Sequence, residues 1–123
     1  MSAGVWAAAI LACGLGATLR YLLARLDPEG AFPWPTVVAN ALGSMILGCV
    51  AAAVAHGASP AALVIVGSGF AGGLTTFSTL AVDAVTLLRE GRLGASGAYL
   101  AATLAVGLAG AGIGWVATAG VMG

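Results

Sequence analysis

The chain has 123 residues, 61% of them hydrophobic and 20 of them glycine, and only eight carry a charge, four basic and four acidic. A soluble domain carries charge on roughly a quarter of its residues, so this composition excludes one, and it equally excludes a disordered chain. Zero net charge with no basic run excludes a nucleic-acid partner. The charges sit in two windows: Arg20, Arg25, Asp27 and Glu29, then Asp83, Arg89, Glu90 and Arg92. A membrane-spanning helix needs about 20 apolar residues, so the uncharged stretches 1–19, 30–82 and 93–123 hold one, two and one spans. The predicted fold is an all-α membrane protein of four transmembrane helices forming a single domain over 1–123.

The first helix is predicted over 3–24, with Arg20 and Tyr21 near its end, where an arginine can snorkel toward headgroups. Met1-Ser2-Ala3 lacks the positive region of a signal peptide. Asp27-Pro28-Glu29-Gly30 has turn chemistry, and Pro33, Trp34 and Pro35 open a second helix over 33–55. Phe32 and Trp34 suit the membrane interface. His56-Gly57-Ala58-Ser59-Pro60 ends that helix, Pro60 begins a third over 60–88, Arg89 to Leu93 makes the last loop, and a fourth helix covers 95–119. Cys13 and Cys49 lie in apolar stretches and are expected as small core residues, not as a disulfide. All four arginines fall on the side shared by loops one and three, so the positive-inside rule places those loops in the cytoplasm and both termini outside.

Polar residues at membrane depth mark either a pathway or a packing seam. On the second helix Thr36, Asn40 and Ser44 repeat every four residues. On the third, Thr76, Thr79, Leu80 and Asp83 share a face; on the fourth, Tyr99, Thr103 and Gly107 do. Gly69 with Gly73, Ser44 with Gly48 and Gly110 with Gly114 are small-xxx-small pairs suited to close packing. Asn40 favours function, because a carboxamide in an apolar helix needs partners for two donors and an acceptor. In Gly67-Ser-Gly-Phe-Ala-Gly-Gly-Leu-Thr-Thr-Phe-Ser-Thr79, glycines precede two β-branched residues, poor helix formers at mid-span. Two readings stand: a tightly packed helix, or a break at Gly72 and Gly73 whose freed carbonyls meet a cavity or a hard cation. Asp83 reads either as a relay, cation site or vestibule group, or as a solvated acid near Arg89. No nucleophile–base pair, phosphate loop or metal-ligand spacing is present, so no enzyme is expected.

Three segments carry a resemblance: Gly14-Leu-Gly-Ala-Thr-Leu-Arg20-Tyr21, Thr36-Val-Val-Ala-Asn40-Ala-Leu-Gly43-Ser44 and Gly69-Phe-Ala-Gly-Gly-Leu-Thr-Thr-Phe77-Ser-Thr79. In order, spacing and length the chain resembles the CrcB/Fluc fluoride channels. The resemblance implies an antiparallel, inverted dimer of four-helix subunits in the cell membrane, passing fluoride passively out of the cell and so relieving its toxicity. It implies a third helix broken mid-span, with a structural, untransported Na⁺ at the dimer centre on the carbonyls of Gly72 and Thr75. It implies a fluoride path past Asn40, Phe77, Ser78 and Thr79, with Thr36 and Ser44 on the same helix face as Asn40, a polar track at Tyr99 and Thr103, and a vestibule at Arg20 and Asp83. Where the family usually has a second phenylalanine, this chain has Leu80. The expected partners are fluoride, membrane lipid, and either a second copy or an oppositely oriented homologous subunit; the one-sided arginines favour the latter. The competing class is a small-multidrug-type proton-coupled cation exporter, also four-helical, but residues 1–19 lack the acid its chemistry needs.

Overall fold

The protein, described from a computed structural model covering residues 1–27 and 32–123, is helical at every regular element among those residues. Pro28, Glu29 and Gly30 of the expected first turn lie outside the described residues. Helix α1, Ala3–Ala24, begins where Ser2 Oγ accepts the Val5 N–H at 3.2 Å, satisfying one of the amides a helix start leaves unpaired. Helix α2, Trp34–Ala55, carries Pro35 in its first turn, where a missing N–H costs nothing. It ends where the His56 Nδ1–H donates to the Ala52 carbonyl at 2.8 Å and Gly57 turns the chain at φ +108°. Ser59 Oγ then accepts from the Ala61 N–H at 3.3 Å and starts the next helix at Pro60.

The third span is two helices. The first, α3, covers 60–74: a turn at Pro60–Ala62, a π-helical stretch at Leu63–Ala71 and a closing turn at Gly72–Leu74. The second, α4, is Ser78–Arg89. Thr75 is extended between them, at φ −81° and ψ 157°. The break therefore falls after Gly72 and Gly73, which remain helical, and not at them. Gly73 belongs to the approach of α3 to α1, whereas a Cβ on Gly72 would meet only the Gly67 carbonyl of its own helix, at 3.8 Å. Helix α5, Leu93–Met122, follows a turn at Gly91 with φ +75°. It outruns the expected 95–119 at both ends, because no charge or proline interrupts the run after Arg92.

Backbone contact at small residues decides the packing. A Cβ on Gly73 would land on the Cys13 carbonyl, one on Gly16 on the Phe70 carbonyl, and one on Gly69 would stand 2.8 Å from the Ala9 carbonyl. These positions lock α1 to α3. Along α2 and α5, a Cβ on Gly48 would strike the Ala111 carbonyl, one on Gly114 the Met45 carbonyl, and one on Gly110 would stand 3.0 Å from the Ala41 carbonyl. Lipid supplies no hydrophobic drive between helices, so close approach of this kind is what holds them together. Cys13 is not a core residue: its side chain is exposed while its carbonyl backs Gly73. Cys49 is half-buried against Gly114, and both thiols are free.

The four spans, with α3 and α4 together forming one, are long and apolar enough to cross a membrane. Only 11% of the most apolar window of α1 and of α5 is buried within the chain. The outward leucines, valines and isoleucines thus meet lipid or another protein surface.

Candidate functional site

An interrupted helix at membrane depth must find partners for the backbone groups it releases. In a continuous helix the Thr76 N–H would bond to the Gly72 carbonyl. Here it donates to Asn40 Oδ1 at 2.8 Å, and Asn40 Nδ2 donates to the Thr76 carbonyl at 3.1 Å. The carboxamide thus pairs with one residue's backbone as a neighbouring strand would. Asn40 is 9% exposed and lies in the first half of α2, which presents it directly at the break. Gly43, one turn on, holds the same approach: a Cβ there would strike the Thr75 methyl and stand 3.3 Å from the Ala71 carbonyl.

Each side of the break is finished by a different device. On the α3 side, Thr75 Oγ1 donates to the Ala71 carbonyl at 2.9 Å and lies 3.5 Å from that of Gly72. Arg20 Nε donates to the Gly73 carbonyl at 3.3 Å. A cation on the last carbonyls of a helix is favourable there, so Arg20 reaches inward to the break instead of snorkelling to the headgroups. On the α4 side, Thr76 Oγ1 accepts the Thr79 N–H at 3.1 Å, a capping bond, and donates to Thr79 Oγ1 at 3.1 Å. Ser78 Oγ stands 3.4 Å from the Thr76 hydroxyl. The diversion of the Thr76 N–H leaves Gly72 with an exposed carbonyl whose only described contact is the long Thr75 hydroxyl.

Two open cavities flank this junction. One, of about 610 Å³, is lined by Asn40, Ser44, Ser68, Gly72, Thr75, Thr76, Phe77 and Leu80 among others. The second, of about 400 Å³, shares Asn40, Ser44, Leu47, Phe77 and Leu80 and adds Thr103, Leu104 and Gly107 from α5. Phe77 is 80% exposed within the chain, a ring standing free at the groove. The Thr103 hydroxyl is buried without a partner among the described residues.

Thr36, Asp83 and Tyr99 form a separate polar group that lines neither cavity. Tyr99 is fully buried; its hydroxyl donates to Asp83 Oδ2 at 2.9 Å, and Thr36 Oγ1 donates to the same oxygen at 3.3 Å. The Tyr99 ring meets Phe32 edge to face at 5.6 Å, and Ala84, Leu87 and Leu80 complete the packing. Asp83 therefore turns into the bundle toward Thr36 and Tyr99. It also lines a cavity of about 140 Å³ at the loop end with Asp27, Glu90 and Arg92. Partial loss of water, and secondarily the charge of Asp83, raises the Asp27 carboxyl above the usual aspartate range. Glu90 and Arg92 pair at 3.7 Å on the surface.

The structure thus gathers Asn40, Ser44, Phe77, Leu80, Thr103, Gly72 and Thr75 around the break and its grooves. Ser78 and Thr79 stand beside them, while Thr36, Tyr99 and Asp83 form the group toward the loops. Sequence reasoning put Thr76 on the polar face of the third helix but not among the site residues, yet it is the hub: its backbone takes both ends of Asn40 and its hydroxyl caps α4. The adjacent Thr75-Thr76 pair was the available signal. Ser68 also lines the larger groove, and nothing in its spacing sets it apart from other helical serines.

The chain matches the family described as CrcB-like protein, Camphor Resistance (CrcB), over residues 7–115. It is 44% identical over 102 residues to the Fluoride-specific ion channel FluC 2 of Rhodococcus jostii, covering 82% of this chain and 87% of that one. It is 40% identical to the Fluoride-specific ion channel FluC 1 of Rubrobacter xylanophilus, with 80% and 81% of the two chains covered. The Fluoride-specific ion channel FluC of Bordetella bronchiseptica is 41% identical over 111 residues, with 85% and 86% covered. With the family matched over nearly its whole length and these relatives so extensively aligned, the chain belongs to the CrcB family of fluoride-specific ion channels, which are not enzymes.

Proposed function

We propose that this chain is a subunit of a passive, fluoride-selective channel that lets fluoride leave the cytoplasm and limits its toxicity. The observation that carries the reading is the Asn40–Thr76 pairing beside open grooves, which puts a carboxamide, hydroxyls and a phenyl ring at one interrupted helix. Fluoride is small and holds its water tightly, so a pore must replace that water with donors. Asn40 Nδ2, the hydroxyls of Ser78 and Thr79, and the electropositive edge of Phe77 are such groups. Ser44 on α2 and Thr103 on α5 extend the polar track along the grooves, and Thr36 and Tyr99 continue it toward the loops as partners of Asp83, which belongs to the vestibule. Arg20 places positive charge at the break.

The Gly72 and Thr75 carbonyls are the residues that would hold a structural Na⁺. They fit: the diverted Thr76 N–H frees the Gly72 oxygen, and carbonyl oxygens are hard ligands. A bound Na⁺ would add fixed positive potential near an anion path and tie two subunits together. One chain offers too few oxygens for a closed shell, and the free Phe77 ring supports a second subunit against this face. We assign an antiparallel arrangement, with the arginine-bearing loops cytoplasmic when the topology is fixed. Leu80 in place of an aromatic leaves each copy one ring edge short, and the one-sided arginines favour pairing with an oppositely oriented homologous subunit over a second copy.

Fluoride efflux from liposomes holding this chain alone, with Na⁺ and with a larger monovalent cation, tests these assignments. Selective efflux only with Na⁺ supports the channel and the carbonyl site, and removes the need for an oppositely oriented homologous partner in favour of a second copy. Full efflux without Na⁺ sinks the Gly72 and Thr75 assignment. No efflux from this chain either alone or with a homologous partner sinks the channel reading.

A further inference from the structure

We propose that the Thr76 backbone orients the Asn40 amide so that the groove meets an N–H donor and not the side-chain carbonyl. The inference rests on the fluoride-channel reading and makes the break itself the positioning element for anion selectivity.

An unconstrained carboxamide is ambivalent. Turned one way it shows an anion two donors; turned the other way it shows a carbonyl oxygen, which favours cations. The Thr76 backbone removes that freedom. Its N–H can only donate and its C=O can only accept, and Asn40 touches both, at 2.8 and 3.1 Å. Flipping the amide would set NH₂ against N–H and oxygen against oxygen, losing two bonds and creating two repulsions. Only one orientation satisfies all four groups. In it, Oδ1 is committed to the Thr76 N–H and one Nδ2 proton to the Thr76 carbonyl. The second Nδ2 proton has no partner among the described residues, and Asn40 lines both cavities. Thr76 is held in turn by its hydroxyl on α4 and by the extended Thr75 before it. It is therefore a positioning residue that acts through Asn40.

The chain has one asparagine and no glutamine, so its side-chain amide contributes a single NH₂ pair to a nitrogen-15 NMR spectrum. In the intact chain in lipid nanodiscs, the two protons should be well separated. One should be protected from exchange, and sodium fluoride, unlike sodium chloride, should move the other alone. Averaged or equally exchanging protons would overturn the proposal, as would a pair that fluoride leaves in place or a fluoride shift on the protected proton. Replacing the Thr76 amide by an ester removes its N–H while keeping the side chain. The fluoride-to-chloride permeability ratio should then fall about tenfold, equivalent to about 1.4 kcal/mol; an unchanged ratio overturns the proposal. A merely structural role would lower flux without moving the ratio, and the spectrum of the unmodified chain decides the matter if the ester variant does not fold. A fluoride-shifted proton in a chain that carries no efflux would instead overturn the channel reading, and with it the selectivity role, and leave the amide's orientation by Thr76 standing.

Discussion

Gly14 and Gly16 lie two residues apart on α1 yet face different surroundings, so the same substitution should have opposite effects. A Cβ on Gly14 meets nothing within 4 Å. A Cβ on Gly16 would land on the Phe70 carbonyl and stand 2.8 Å from the Leu74 nitrogen, both backbone atoms of α3 that cannot rotate away. Gly→Ala inside a helix gains roughly 0.5–1 kcal/mol from reduced backbone freedom, and that gain is common to both sites. The difference between the variants therefore isolates the overpacking term, about 1–3 kcal/mol where a packed interface must open. Gly14→Ala should be neutral or slightly more stable than the parent, and Gly16→Ala should be less stable than Gly14→Ala by that margin. Reversible unfolding in bicelles, followed by the fluorescence of Trp6, Trp34 and Trp115, measures it. Two variants unfolding within about 0.5 kcal/mol of each other, the usual additivity error, would refute the claim that backbone contact locks α1 to α3. The second site has a further readout: α1 displaced from α3 at Gly16 also draws Arg20 away from the Gly73 carbonyl.

Leu80→Phe should raise fluoride flux if the missing ring limits this chain, as liposome efflux measures; unchanged flux means leucine is tolerated. Leu80 also packs against the core of Ala84, Leu87 and Tyr99, so the same variant should unfold at a denaturant concentration no higher than the parent's. Tyr99→Phe removes the donor to Asp83 and keeps the ring on Phe32. Because Asp83 retains Thr36, the loss should be close to that of one hydrogen bond between helices, about 0.6–1.7 kcal/mol. Unfolding in bicelles checks it, and a loss above about 3 kcal/mol would mean that Asp83 is left without water or partner.

The helices were legible because charge and apolar length are local properties. Helix α1 needs only the run from Ala3 to the arginines, and α2 needs only Pro35 to begin and His56-Gly57 to end. An interruption within Gly67–Thr79 was also legible from its glycines and threonines, but not its position. That is set by Asn40, on another helix 36 residues away, drawing off the Thr76 N–H, and no local propensity records it. The π-helical stretch Leu63–Ala71 was hidden for a related reason: its apolar residues suit an α-helix equally well. Arg20 looked like an interfacial snorkel because sequence gives a side chain's reach but not the acceptor it finds. The Thr36–Asp83–Tyr99 group was visible only as three separate stripes, since assembling it requires the crossing of α2, α4 and α5.

The glycine seams have a mechanical consequence. With backbones touching, α1 and α3 behave as one stiff plate, and α2 and α5 as another. The plates are joined at the break by two hydrogen bonds at Thr76 and by the fit of Gly43 against Thr75, and beyond it by the Leu47 and Val50 side chains of α2 beside Gly67 of α3. Sliding within a plate would force main-chain atoms through one another, while sliding between plates strains that joint and side chains that can repack. Compliance is thus concentrated beside the grooves, and a ligand tightening the joint would stiffen the whole subunit at once.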